Sequence, residues 1–162
     1  MPHPEPARDP APRRLVRPAA YAVCVEDGQV LLARWTGPRG PEWTLPGGGL
    51  HHGEDPRAGA VREVEEETGF TVALDRLLTV DSVHFPEAVS LSGEPLDLFG
   101  IRVVYAAHVV GGELRHEVGG TTDMAAWVPL DEVAGLVRVP LVETGLAAWR
   151  SEDPARSAVL GS

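Results

Sequence analysis

The apolar positions of this chain fall into short strand-like runs on either side of one helical repeat. Ala19 to Val25 is an almost unbroken apolar run, as a strand buried on both faces requires. Glu26-Asp27-Gly28 supplies turn residues and Gln29 to Arg34 returns as a second strand, which predicts a hairpin. Gly37 to Pro41 reads as loop and Trp43 to Leu45 as a short strand, followed by Pro46 and the glycines Gly47 to Gly49. The period then changes, and Ala60, Val61 and Val64 share one arc of a helix. Asp55 is placed to cap this helix, Pro56 to take its first position and Gly69 to sit just past its end. Thr71 to Val83 reads as a strand or strand pair. Phe85 to Gly100, with two prolines and two glycines, reads as a long loop. Ile101 to Val110 is a strong strand, Gly111-Gly112 a turn, Glu113 to Asp123 a polar loop and Ala126 to Val128 a short strand. Asp131 to Leu136 and Val142 to Arg150 look helical. This order predicts an α/β fold with a mixed sheet packed against helices, because hairpins force antiparallel pairs.

The 162 residues suit one domain. Its expected limits are 19–150, with a flexible Pro/Arg-rich tail at 1–18 and a C-terminal tail at 151–162. Met1 to Pro18 lacks the apolar stretch of a signal peptide, and no run approaches the roughly 18 to 20 apolar residues that cross a bilayer. A cytoplasmic location is the expectation, and a lone cysteine, Cys24, agrees with a reducing compartment. Cys24 itself reads as a small buried hydrophobe. The net charge of -10 argues against broad binding to a nucleic-acid duplex or an anionic membrane. All fourteen basic residues are arginine, so Schiff-base chemistry and a P-loop are excluded. An anionic phosphate substrate would need its repulsion neutralised, and a divalent metal would do so.

Glu63, Glu66 and Glu67 stand at i, i+3 and i+4, within an arc of roughly 100° on the predicted helix, and Glu65 points elsewhere. Like charges at this spacing repel, and the helix dipole disfavours anions in the C-terminal half. Taken alone, an acidic helix face is most often solvated surface. A hard divalent cation such as Mg²⁺ would turn the repulsion into binding, since it takes oxygen ligands and keeps positions open for water and phosphate. Arg62 can fix a neighbouring carboxylate with its planar fork, and the glycines before the helix let backbone approach a ligand.

The full spacing decides between these readings. Gly48 to Phe70 reads GGLHHGEDPRAGAVREVEEETGF. It resembles the Nudix box, G-x5-E-x7-R-E-U-x-E-E-x-G-U with U a bulky apolar residue. Gly48, Glu54, Arg62, Glu63, Val64, Glu66, Glu67, Gly69 and Phe70 fill every specified position. Chance alone would match the fixed positions at on the order of 10⁻⁸ per start point. Trp43 to Gly47 is also similar to the family's usual approach to the box.

The resemblance implies a Nudix-like α/β/α sandwich with a mixed parallel/antiparallel sheet. It implies an enzyme that cleaves a phosphoric anhydride bond by attack of water on phosphorus. Carried over by position, Glu63, Glu66 and Glu67 would bind Mg²⁺, with Mn²⁺ as a substitute, and the Gly47 carbonyl would complete the shell. Arg62 would orient Glu63, and Glu54 would support the loop. The general base comes from the box or from a later loop, so Glu66 competes with Glu113, Glu117 and Asp123, among which Glu117 is favoured. His51 and His52 read as turn residues at the mouth of the site. Trp35, Trp43, Phe85, Phe99, Tyr105 and Trp127 are candidates to stack a base. Pro86, sixteen residues after Phe70, resembles a signal of ADP-ribose-cleaving branches. The resemblance therefore implies a small-molecule nucleotide substrate, with ADP-ribose or a similar dinucleotide or nucleotide sugar expected. The alternatives are a nucleoside triphosphate pyrophosphatase that removes oxidised nucleotides, and a non-catalytic nucleotide sensor. Many family members are dimers, so a homodimer is a further expectation.

Overall fold

The long apolar run near the N-terminus becomes the spine of a seven-stranded mixed sheet in a computed structural model of the chain, which describes residues 11–151. The elements are β1 (Arg13–Glu26), β2 (Gln29–Gly37), β3 (Gly40–Thr44), β4 (Gly47–Gly49), α1 (Pro56–Thr68), β5 (Phe70–Val89), β6 (Pro95–Gly112), β7 (Thr122–Pro129), a 3₁₀ turn at Val133–Gly135 and α2 (Pro140–Ser151). Strand order is β3-β2-β1-β6-β5, with β4 paired to β1 and β7 to β2. β1 and β6 run parallel, Arg13 opposite Leu96 through Cys24 opposite Ala107, and the other strand pairs are antiparallel. The predicted hairpin between β1 and β2 closes through Asp27 and Gly28, both at positive φ (50° and 73°), the geometry a two-residue turn needs to follow strand twist.

Strand alternation assigns the two helices to opposite faces. Ala22, Cys24 and Leu31 pack with Val64 of α1, whereas Val23, Val30, Leu32 and Val104 pack with Val142 and Leu146 of α2. The result is an α/β/α sandwich. Burial of such aliphatic side chains contributes about 1.5–3 kcal/mol each, which is why both faces of β1 must be apolar. Among the described residues, no helix is long and apolar enough to cross a membrane.

β1 has two successive partners on the edge away from β6. Ala19 to Tyr21 pair with β4, and Val25 and Glu26 pair with β2. Between them the Ala22 amide donates to the Pro46 carbonyl at 3.0 Å. The sheet therefore divides beside β4, and the opening lies under α1.

Four expectations need correction. Arg13 to Pro18 are not tail but strand, held to β6 by the parallel register; residues 1–10 and the C-terminal tail from 152 lie outside the described residues. Phe85 to Gly100 is not a loop, because β5 continues to Val89 and β6 begins at Pro95, leaving a tight connection around Gly93 (φ 84°). Pro86 is accommodated because β5 is an edge strand and its register shifts between Phe85 and Ala88, and Pro95 because it is the first residue of β6. Asp131 to Leu136 contains only the single 3₁₀ turn. The loop after β6 also ends early, since Thr122 and Asp123 begin β7.

Candidate active site

α1 is set at both ends by local chemistry. The Asp55 carboxylate accepts from the Arg57 amide at 2.8 Å, Pro56 occupies the first helical position, and Gly69 takes φ 80° to end the helix. Ala60 and Val64 face the sheet and are fully buried. This fixes the helix roll and turns the carboxylates toward β4. The three then grade from solvent to interior: Glu66 is half-exposed, Glu63 half-buried, and Glu67 only 4% exposed.

Arg62 is the hub of the arrangement. Its Nε and Nη2 donate to the two oxygens of Glu54 at 2.7 and 2.9 Å. Nη1 donates to Glu63 at 2.9 Å and Glu66 at 3.2 Å, and Nη2 also reaches the Gly49 carbonyl at 3.2 Å. Glu54 in turn accepts from the His51 amide at 2.9 Å, so one fork ties the loop before α1 to two of its acidic residues. The bond to Arg62, with help from the His51 amide, holds the Glu54 carboxyl down at about 2. Glu54 above all keeps the Arg62 guanidinium charged.

Glu67 accepts from the Gly47 amide at 3.1 Å. Burial pushes its carboxyl up to about 9; the Gly47 bond pulls it down, while Glu63, Glu117 and Glu66 push it further up. Burial also raises Glu63, against the pull of Arg62. Gly47 has φ 148°, and a Cβ there would stand 2.3 Å from the Ala20 carbonyl oxygen, so only glycine fits. A Cβ at Gly48 would press on the Glu63 carboxylate at 2.9–3.0 Å. The glycines thus bring backbone directly under the carboxylates.

Among the described residues, no group of three or more acidic, histidine or cysteine side chains stands arranged to hold a metal ion. The reason is visible in the bonding: Glu63 and Glu66 are turned to Arg62, and Glu67 to the Gly47 amide. The donor set nevertheless fits a hard divalent cation. It is all oxygen, and it includes a buried carboxylate whose ionisation its neighbours oppose and a cation would favour.

Glu117 lies in the loop between β6 and β7, close enough to raise both Glu63 and Glu67 electrostatically. One of its oxygens accepts from the Thr122 hydroxyl at 2.6 Å and the Thr122 amide at 3.2 Å. Asp123 is instead held by Arg34 through two bonds of 2.8 and 2.9 Å. Glu113 is exposed, and its carbonyl lies against Gly69. His51 and His52 are exposed in the turn before α1. Of the aromatic residues, Tyr105 is buried beneath Arg57 and Trp127 packs on Phe70, whereas Phe85 and Phe99 are exposed on the long hairpin.

The structure also brings in residues that sequence reasoning missed. Tyr21 sits on β1 opposite Gly47, and Arg17 lies across Gly49. Arg17 falls within the expected tail at 1–18, and only strand periodicity carried back through Pro18 identifies it as part of β1.

A sheet that divides beside a glycine strand, with a helix of carboxylates over the opening, defines one class of α/β/α sandwich. Residues 15–148 match the family described as the NUDIX domain, and the chain belongs to the Nudix family. An 8-oxo-(d)GTP phosphatase from Mycolicibacterium smegmatis is 32% identical over 104 residues, 64% of this chain and 28% of that protein. A Bacillus subtilis protein provisionally named an ADP-ribose pyrophosphatase is 30% identical over 127 residues, 78% of this chain and 55% of that protein. The chain thus spans from about a quarter to just over half the length of these curated relatives. Among solved structures, a MutT Nudix hydrolase from Burkholderia pseudomallei is 31% identical with a TM-score of 0.57, covering 83% of this chain and 95% of that one. A Nudix hydrolase from Nitrosomonas europaea shares the fold with a TM-score of 0.67 at 24% identity, covering 85% and 90%.

Proposed function

We propose that this protein is a Mg²⁺-dependent hydrolase of the phosphoric anhydride bond in a nucleoside diphosphate derivative, with ADP-ribose or a similar dinucleotide or nucleotide sugar favoured. The observation that carries this reading is the joint between Glu67 and Gly47: a buried carboxylate opposed by three others, set against a backbone that only glycine can form. Glu63, Glu66, Glu67 and the Gly47 carbonyl would hold the ion, with Mn²⁺ as a substitute. When bound, the ion would lower the pKa of water and neutralise charge developing on the phosphate oxygens. Arg62 holds Glu63 and Glu66 in place, and Glu54 holds Arg62. Glu117, oriented by Thr122, is the favoured base to take the proton of the attacking water, and Glu66 is the competitor. Phosphoryl transfer is mainly positioning and electrostatics, which such a fixed constellation supplies. The single buried cysteine suits a reducing cytoplasm.

A second reading, a nucleoside triphosphate pyrophosphatase, is favoured by the similarity to the 8-oxo-(d)GTP phosphatase. Incubation with Mg²⁺ and a panel of dinucleotides, nucleotide sugars and triphosphates, with product analysis, separates the two. AMP and ribose 5-phosphate from ADP-ribose support the first; release of pyrophosphate from a triphosphate, with ADP-ribose untouched, supports the second. Absence of turnover across the panel sinks both.

A further inference from the structure

Beside β4, on the face of the sheet that carries Tyr21 and α2, the floor is built of small residues, and the Val83 side chain of β5 borders it at Gly100. Arg17 stands opposite Gly100, and Ala19 stands opposite Arg102 on one side and Gly49 on the other. Each arginine therefore faces a residue with little or no side chain. The two occupy diagonal positions on adjacent strands, a spacing of roughly 7–8 Å that long side chains bridge.

The two guanidinium groups are prepared differently. Arg102 is gripped by Asp81 through Nε at 2.8 Å and Nη2 at 2.7 Å, which fixes its plane and leaves Nη1 to another partner. Arg17 is exposed and, among the described residues, has no hydrogen-bonded or ion-paired carboxylate. It lies over Gly49: a Cβ there would stand 2.8 Å from Nη2 and 2.9 Å from Nε. Gly49 is one of the unspecified positions of the box, so the guanidinium above it gives a reason for a third glycine. Tyr21 links the pair to the carboxylates. Burial raises its phenol, Arg17 and Arg102 pull it down, and Glu67 and Glu63 push it up. In a chain of net charge -10, an uncommitted cation at this point has a use for a polyanionic substrate.

We propose that Arg17 and Arg102 form a phosphate-recognition site beside β4, which binds the phosphate group of the substrate that water does not attack. The floor at Ala19 and Gly49 admits the phosphate, Arg102 meets it with a pre-set donor, and Arg17 closes over it. The proposal rests on the hydrolase reading above for its substrate, yet the anion site can be measured without turnover.

The test uses the full chain and the variants Arg17→Ala, Arg17→Lys and Gly49→Ala, with Arg14→Ala as a control on the opposite face of β1. Gly49→Ala displaces Arg17 without removing it. Steady-state kinetics are run on the best substrate of the panel, and inorganic pyrophosphate is titrated calorimetrically into metal-free protein. Arg17→Ala and Gly49→Ala are expected to raise KM about tenfold or more while kcat changes less than about threefold. Pyrophosphate affinity falls by a similar factor and its salt dependence becomes shallower; Arg17→Lys lies between, and Arg14→Ala matches the parent. Unchanged KM and unchanged pyrophosphate affinity in Arg17→Ala, in a protein that hydrolyses its substrate, overturn the site and leave the hydrolase reading intact. If the parent hydrolyses nothing, that reading falls, and the pyrophosphate titration still decides the site.

Discussion

Arg62 and Glu54 are joined by two parallel bonds, Nε to Oε1 at 2.7 Å and Nη2 to Oε2 at 2.9 Å. The fork locks the loop before α1 onto the middle of the helix, and Arg62 spends its remaining donors on Glu63, Glu66 and the Gly49 carbonyl. Glu54→Gln should therefore loosen Glu63 and Glu66 as well as the loop, lowering Tm at neutral pH. Because the folded-state pKa of Glu54 is depressed to about 2, its contribution is present above the ordinary carboxylate range and disappears as pH falls toward about 2. Thermal melts across pH 7 to 2.5 should show the gap between parent and variant closing on the acid side. A gap independent of pH would contradict this.

Glu67 has the opposite sign. Its folded-state pKa is raised to about 9, so the metal-free protein is best off with Glu67 protonated. That stability is complete below the ordinary glutamate pKa of about 4.3 and is lost as pH rises through about 9. Metal-free parent protein should lose Tm between pH 5 and 9, and Glu67→Gln should flatten the profile while reducing kcat by several orders of magnitude. Added Mg²⁺ should restore Tm at pH 8 in the parent but much less in the variant. Equal rescue of both would remove Glu67 from the metal site.

Glu117→Gln is expected to lower kcat by roughly 10²–10⁴ with little change in KM, the usual reach of general base catalysis. Asp123→Asn should leave kcat near that of the parent, because Asp123 is committed to Arg34. Rapid-mix kinetics on both variants decide the matter; near-normal turnover in Glu117→Gln would pass the role to Glu66.

Gly69→Ala tests how α1 communicates with the loop bearing Glu117. The position needs φ 80°, and a Cβ there would lie 2.2 Å from the Glu113 carbonyl oxygen. The Thr68 carbonyl also accepts from the Arg115 amide at 2.9 Å. Backbone strain of this kind costs about 1–3 kcal/mol. Denaturant unfolding should register at least that loss, together with a lower kcat, since the loop cannot keep its place. Unchanged stability would mean the loop gives way freely.

The box was legible because its chemistry is local. Asp55, Pro56 and Gly69 delimit a helix by contacts within a few residues, and the spacing of Arg62 to Glu67 follows from helix period alone. The long hairpin was hidden by Pro86, Pro95 and Gly93, which locally favour a loop and are overridden by the pairing of β5 with β6, Pro86 lying on an edge strand and Pro95 at the first position of β6. Arg17 was hidden for a related reason. The Pro/Arg-rich stretch around it has little apolar content of its own and is strand only because β6 lies alongside. Glu117 is the favoured acid of its loop by resemblance, but local pattern alone does not separate the residue near Glu63 and Glu67 from Asp123, which pairs with Arg34.

The parallel register of β1 with β6 also governs how the molecule comes into being. Cys24 must find Ala107, and Arg13 must find Leu96, across more than eighty intervening residues in each case. Such non-local closure is entropically slow. As the chain leaves the ribosome, β1 waits for β6, while the hairpin of β1 with β2 and the helix of carboxylates can form beforehand. The arginines on β1 and β6 then meet only when that closure is made, so phosphate recognition ripens after the acidic cluster, and a ligand carrying phosphate would favour the closed sheet over its precursors.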